Sequence, residues 1–375
     1  MDARRLTGDP AADSLYWQIR EAGQQAAVNR VMAALHQNAN DLPATAFSPL
    51  AQYLQASRQM PDDVDRRRLE RGQQVFARHG VNAILILLCK SLPSGYGAPC
   101  LSEVLALSGL LQKQTYRRLL GVLQMVIDVV ARGAFAPEGK AIATAQKLRL
   151  LHAGVRQIAL DRMPTYVEQH GLPCNQEDML ATIMGFSLCV IEGWRQLGNH
   201  IDPQSEEDYF YVWMVFGELM GIEAAFVPKT VAEAGEFYSG YATRQMRPAA
   251  ANPQGQVLTQ QTLRMMVELL PVWMRRAGFD VAPQYYTHLL LGPAAAERVG
   301  VAAVTKHLRF QGMLGQLPSL EGLQLPVVDD AFRAVHERLV RGILRSMIAK
   351  AYEGQPTFLV PSDLMDLWRL QHRAK

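Results

Sequence analysis

What this sequence lacks first is an excess of charge of either sign. Its 38 Lys and Arg stand against 35 Asp and Glu, leaving a formal charge of +3 over 375 residues. No long stretch is uniformly basic or acidic, which argues against a nucleic-acid partner, whose phosphates call for a basic face. Cysteine is scarce too: Cys89, Cys100, Cys174 and Cys189 are far apart and form no CxxC pair, so neither a zinc centre nor a disulfide framework is indicated. The N-terminus, Met-Asp-Ala-Arg-Arg with Gly8, Asp9 and Pro10 behind it, lacks the apolar core of a secretory signal, and a cytoplasmic location is expected. The longest apolar runs, around 81–89 and 179–191, are too short or too interrupted for the roughly 20 residues a bilayer span needs, so no transmembrane segment is expected.

Several familiar chemistries are absent as well. Gly133 to Lys140 imitates a phosphate-binding loop, but five residues separate its glycines and Ala141 replaces the Ser or Thr. Gly95-Tyr96-Gly97 is half a dinucleotide fingerprint, with Cys100 where the third glycine belongs. His336-Glu337 has no second histidine, and Gly185 to Cys189 misses the closing glycine of a nucleophile elbow.

What is present is helical spacing. Hydrophobic residues make up 49% of the chain, charged ones 19%, and there are 16 Met, a composition suited to a large core or to an apolar ligand. The i, i+3, i+4 pattern predicts helices over 14–36, 68–79, 82–92, 102–111, 115–131, 142–160, 176–197, 205–220, 263–277, 294–307 and 329–348, and strand-like alternation is nearly absent. In the last of these, Phe332, Val335, Leu339 and Ile343 form one stripe. Asn175 and Asp202-Pro203 read as helix starts, Gly198 and Gly221 as helix stops. The expected organisation is an N-terminal helical arm over 1–61, a helical core over 62–246, a loop over 247–255, and a helical region over 256–375 packed on the core.

One segment points to chemistry: Lys147-Leu148-Arg149-Leu150-Leu151-His152-Ala153-Gly154-Val155-Arg156. On a helix, Leu148, His152, Val155 and Ala159 share a face, so the imidazole points with core residues, and Arg149 and Arg156 flank it at i−3 and i+4. A neutral imidazole nitrogen can hold haem iron while guanidinium forks pair with the propionates. A lone histidine on an apolar face is also the ordinary mark of a core residue, and both readings stand at this point.

This segment, followed by Leu172-Pro173-Cys174-Asn175-Gln176-Glu177-Asp178-Met179-Leu180, by Phe186, by 193–198 and by 213–221 (WMVFGELMG), resembles the catalytic domain of the family that contains latex-clearing protein (rubber oxygenase) and the mycophenolic-acid-pathway oxygenase. The resemblance runs over about residues 68–243 and is specific in the ordered combination of its motifs. It implies an all-α fold, one large helical domain with a globin-like core around a b-type haem, and an oxygenase using dioxygen on an apolar, often isoprenoid, substrate. The family's proximal histidine falls on His152. Its arginine, in an Arg-x-x-x-Thr pattern, falls on Arg118; its acidic residue, a base in double-bond cleavage, on Glu103; and a lysine closing the distal side in some members on Lys90. The family's threonine is here Val122, and a neighbouring lysine is Gly121; a valine cannot donate a hydrogen bond to an oxygen species.

Plainer roles compete with each assignment. Arg118 could salt-bridge a helix, Glu103 could complement a helix dipole, Lys90 could snorkel from a core helix, and Met184, a conceivable second axial ligand, has the spacing of a packing residue. His79, His170 and His200 lie near turns, where surface placement is expected. A non-catalytic helical protein binding a lipid or isoprenoid is the alternative function.

Overall fold

A computed structural model describes residues 3–39, 46–107, 110–270, 272–276 and 278–304, with the side chains of 110–117 and 120 outside that description. Among the described residues the regular elements are all helical. The arm contains α1 (Pro10–Glu21), α2 (Gln25–Ala34) and α3 (Ser48–Ala56). Asp9 caps α1 by accepting from the Ala12 amide at 3.2 Å. The single helix expected over 14–36 is broken by a turn in which Gly23 takes φ +63°, a conformation open to glycine. Leu15, Tyr16, Ile19, Val28, Met32, Leu50 and Leu54 form a small core of their own, closed by Leu150 and Ala153.

Those two residues belong to the body, which runs through α4 (Arg66–Ile86), α5 (Leu92–Tyr96), α6 (Pro99–Leu107), α7 (Leu110–Val130), α8 (Ala141–Arg162), α9 (Tyr166–His170), α10 (Gln176–Phe186), α11 (Leu188–Gln196), α12 (Pro203–Leu219) and α13 (Val231–Gln245). It continues into α14 (Pro253–Leu269), α15 (Val272–Arg276), α16 (Ala282–Leu291) and α17 (Pro293–Arg298). Asn175 and Asp202 cap α10 and α12 as expected, each accepting a backbone N–H at 2.9 Å.

Other expectations about the elements change as well. The helices expected over 68–79 and 82–92 are one: α4 passes through Gly80 and runs by way of a π-helical turn, Leu87–Ser91, into α5. A single glycine weakens a helix by about 1 kcal/mol but does not end one whose flanks are buried. The helix expected over 176–197 is instead two, because Ser187 leaves helical geometry at φ −108°, ψ −82° and turns its hydroxyl back to the Ile183 carbonyl at 2.9 Å. The loop expected over 247–255 already contains the start of α14, and Asn252 fastens it to the body by donating to the Tyr96 carbonyl at 2.7 Å and accepting from Ser102 Oγ at 2.7 Å. The helix expected over 294–307 stops early, α17 ending at Arg298 with residues 299–304 outside any helix, and the helix expected over 329–348 lies outside the described residues.

The main core is built where α4 and α12 cross. A Cβ on Gly72 would lie 2.2 Å from the Asp208 carbonyl oxygen, so the two backbones touch there. Trp194, Tyr209, Phe210, Trp213 and Phe216 are buried around the crossing, with Trp194 and Tyr209 rings 4.7 Å apart and Phe186 stacked on Trp213 at 5.1 Å. Arg68 and Arg71 of α4 both pair with Asp208 of α12, which is 1% exposed. The continuous run Arg66–Tyr96 is, against expectation, long and apolar enough by length and composition to cross a membrane; half of its apolar window is buried within the protein.

Two glycines separate close approach from free space. Around Gly121 of α7 an added Cβ meets nothing within 4 Å. Gly121→Ala is expected to raise unfolding free energy by about 1 kcal/mol, whereas Gly72→Ala should lower it by about 2 kcal/mol or more through overpacking; urea denaturation of the two variants measures both.

Candidate functional site

α8 presents two buried faces. Ile142, Ala145 and Leu148 enter the main core and Val155 a smaller cluster with Tyr166 and Tyr241, while Leu150 and Ala153 meet the arm. His152 lies on the core-facing side, with its ring half-buried and Nδ1 buried without a hydrogen-bond partner. Burial above all, then the nearby Arg156 charge, pushes its pKa down to about 4, with Asp9 acting in the opposite sense. The imidazole is therefore neutral at physiological pH and keeps a lone pair available. A buried nitrogen with no partner costs about 1–3 kcal/mol, and it leaves this atom free to meet a ligand.

Arg118 is a second such position. It stands on α7, which packs against α8, with its guanidinium carbon 6.0 Å from the Tyr96 ring centroid. Its Nη1 is buried and has no hydrogen-bond partner, and neither has the Tyr96 hydroxyl. Leu92 and Leu105 pack with Tyr96 and Leu258 in an apolar wall. A guanidinium held there without a carboxylate is ready for an anionic group. An unpartnered neutral imidazole and an unpartnered guanidinium on adjoining helices fit what a b-type haem requires, an axial nitrogen and a partner for a propionate. Among the described residues no three His, Cys, Asp or Glu side chains gather as a metal site. A single imidazole suits an iron whose other in-plane ligands come with a porphyrin.

The other sequence candidates are placed differently. Arg149 and Arg156 are not free for propionates: Arg149 forks onto Asp9 at 2.7 and 2.9 Å, and Arg156 pairs with Asp13 while donating to the carbonyls of Pro173 and Cys174 at 2.9 and 3.0 Å. Helical spacing gave their flank of His152 correctly but not their partners, which come from the arm. Lys90 lies in the π-helical turn with its ammonium 2.9 Å from both Glu192 Oε2 and Gln196 Oε1 of α11. An ammonium donating to a carboxylate has no lone pair for iron, so the assignment of Lys90 as a distal ligand gives way to an ion pair. Glu103 sits in the second turn of α6, half-exposed, 3.6 Å from His170 Nε2, and partial burial raises its carboxyl above the usual range. Nothing in those surroundings links it to His152 or Arg118.

Met184 is wholly buried in the main core; His79 packs edge-on to Trp194, and His200 is exposed. Val122 packs against the main core. Two clefts open on the surface, one of about 300 Å³ between α11 and α12 beside Arg195 and Glu206, the other of about 390 Å³ between α1 and α3 with Arg149 on its floor; His152 lines neither. Asp9, Asp13 and Gln176 were not singled out from the sequence, although Asp9-Pro10 ahead of an apolar periodicity has the form of a helix start.

The state of His152 has a pH signature. The folded chain binds the imidazole proton only near pH 4 and the unfolded chain near 6.5, so the unfolded state takes it up first as pH falls. The stability contributed by the neutral ring is complete above about pH 6.5 and is lost toward pH 4, by on the order of 3 kcal/mol. Urea unfolding followed from about pH 7 to about pH 4.5 should therefore show a shallower loss in His152→Leu than in the wild type; equal slopes would show that the ring is not held neutral.

Known proteins resemble this chain in both sequence and fold. Residues 77–317 match the family described as ER-bound oxygenase mpaB/B'/Rubber oxygenase, catalytic domain. The match reaches past the stretch that carries the motifs, into the helices that follow α13. The rubber oxygenase of Streptomyces sp. (strain K30) is 26% identical over 271 residues, covering 70% of this chain and 64% of that protein. The chain thus spans a little under two thirds of that relative's length. The structure of latex clearing protein LCP in the closed state superposes with a TM-score of 0.75 at 21% identity, over 92% of this chain and 91% of the other, so the all-α fold is shared. With well over half of its residues matched, the chain belongs to the ER-bound oxygenase mpaB/B'/Rubber oxygenase catalytic-domain family.

Proposed function

We propose that this protein is a haem b-dependent oxygenase that uses dioxygen on an apolar substrate, with His152 as the residue that would hold the iron. The observation that carries the reading is the neutral, half-buried His152 ring whose buried Nδ1 has no partner. Membership of an oxygenase family supports the reaction class, and the name of the Streptomyces relative, rubber oxygenase, supports an apolar hydrocarbon as substrate. Haem, when bound, supplies dioxygen activation. The chain's own part is to offer a deprotonated imidazole, to pair a propionate with Arg118, and to keep water out with the Leu92, Leu105 and Leu258 wall around Tyr96. No step is assigned to Glu103, whose neighbour is His170.

A non-catalytic lipid- or isoprenoid-binding protein is the second reading. It draws on Val122, an aliphatic side chain packed in the core where the family has a hydroxyl, and on the bare Gly121 beside it.

Titration of the purified protein with hemin separates the two. The oxygenase reading expects a saturable Soret band, its loss in His152→Ala, and an affinity lowered roughly tenfold or more in Arg118→Gln. Oxygen uptake should then follow addition of a long-chain isoprenoid. A folded protein that takes up no hemin refutes the haem reading; hemin-independent stabilisation by isoprenoid without oxygen uptake favours the binding protein.

A further inference from the structure

We infer that Asp9 and Asp13 are positioning residues for His152: through Arg149 and Arg156 they clasp the turn of α8 that carries the ring and fix where the imidazole stands. The consequence for cofactor binding rests on the haem reading above; the clasp itself is a matter of geometry.

A histidine that binds metal usually has its second ring nitrogen tied to a carboxylate or carbonyl, which sets the orientation of the ring. Among the described residues neither ring nitrogen of His152 has such a tie. Its orientation must come from the helix beneath it, and that helix is gripped on both sides of the ring. Three residues before His152, Arg149 meets both carboxylate oxygens of Asp9, at 2.7 and 2.9 Å. Four residues after it, Arg156 takes Asp13 together with the Pro173 and Cys174 carbonyls, tying α8 to α1 and to the turn ahead of α10. The Arg149–Asp9 pair is 14% and 3% exposed and so is largely screened from solvent, while Arg156 is 4% exposed and its partner Asp13 32%.

Each clamp lies close against a glycine. A Cβ on Gly221 would lie 2.9 Å from Asp9 Oδ2 and 3.0 Å from Arg149 Nε, and at φ +84° the position favours glycine in any case. A Cβ on Gly8 would lie 2.9 Å from both Cζ and Nε of Arg156. Gln176 joins the two seats, its amide nitrogen donating to the Gly8 carbonyl at 2.8 Å and to the Gly221 carbonyl at 2.9 Å. Arg5 anchors the same strand of arm in the body through Glu177 at 2.7 Å and Asp178 at 2.9 Å. Residues 5–13 thus bind α8 on both sides of His152 and the first turn of α10.

The test compares the full chain with Asp13→Asn, with the double variant Asp9→Asn/Asp13→Asn, and with Gly8→Ala, which disturbs Arg156 without removing a charge. Asp208→Asn, which breaks the pairing of a 1% exposed carboxylate with Arg68 and Arg71 between α4 and α12, is the reference for a merely structural loss. Amide hydrogen exchange without added cofactor should quicken about tenfold or more over residues 149–156 in the clasp variants. Hemin affinity should fall about tenfold in them, stay within about twofold of wild type in Asp208→Asn, and recover in Asp13→Glu. Wild-type exchange over 149–156 in both Asp13→Asn and Gly8→Ala overturns the clasp, and so does a hemin affinity that falls no further than in Asp208→Asn. Should the wild type take up no hemin while exchange responds as described, the haem reading fails and the clasp stands.

Discussion

The backbone contact between Gly72 and the Asp208 carbonyl holds α4 and α12 closer than side chains would otherwise allow, and the body is arranged around it. With the helices that close, the aromatic residues of α11 and α12 must stack beside the contact rather than within it, which is where Trp194, Tyr209 and Trp213 are found. Asp208 then receives two arginines at the edge of the crossing, so the same residue supplies a carbonyl to the tight approach and a carboxylate to lock it. α8 packs on α12 and α7, so the helices that carry His152 and Arg118 lie against the same part of the body.

Buried charge in the body is otherwise met with care. Glu177 and Asp178, both almost fully buried in the first turn of α10, are answered by Arg5 and Arg244, by the Asn175 amide and by the Tyr241 hydroxyl at 3.0 Å. Burial still raises the Asp178 carboxyl, Arg5 opposing it. Against that background the bare Nδ1 of His152 and the bare Nη1 of Arg118 are informative. Among the described residues they are the two nitrogens of ionisable side chains that are buried without a partner, which makes them the candidates for a bound group.

Much of the fold was legible because helices announce themselves by period: the all-α class, the caps at Asn175 and Asp202, and the inward face of α8 follow from spacing of 3 and 4 residues. The breaks were less legible. Gly80 looks like a stop and is passed over, while Ser187 looks helical and ends α10, since each outcome depends on what the neighbouring helices bury. Of the candidate site, His152 and Arg118 could be picked out, the first by its face and the second by resemblance. The roles of Arg149, Arg156 and Lys90 could not, because a helical wheel gives the direction of a side chain and not its partner. Asp9 lies 140 residues from Arg149 in the chain, and Glu192 lies on a helix whose separate existence was not foreseen.

The π-helical turn at Leu87–Ser91 has a bearing on the far end of its helix. Each residue of an α-helix turns the chain by about 100°, and a π-type turn accommodates one residue more than the regular path would. It acts as an indexing step: the azimuth at which α5 leaves, and with it the direction of the Tyr96 ring beneath Arg118, is set five to nine positions upstream. Shortening that turn by a single residue would leave the helix intact in length and composition while swinging Tyr96 out from under the guanidinium, so the spacing between Ile86 and Tyr96 is as much a constraint on the site as the identity of either residue.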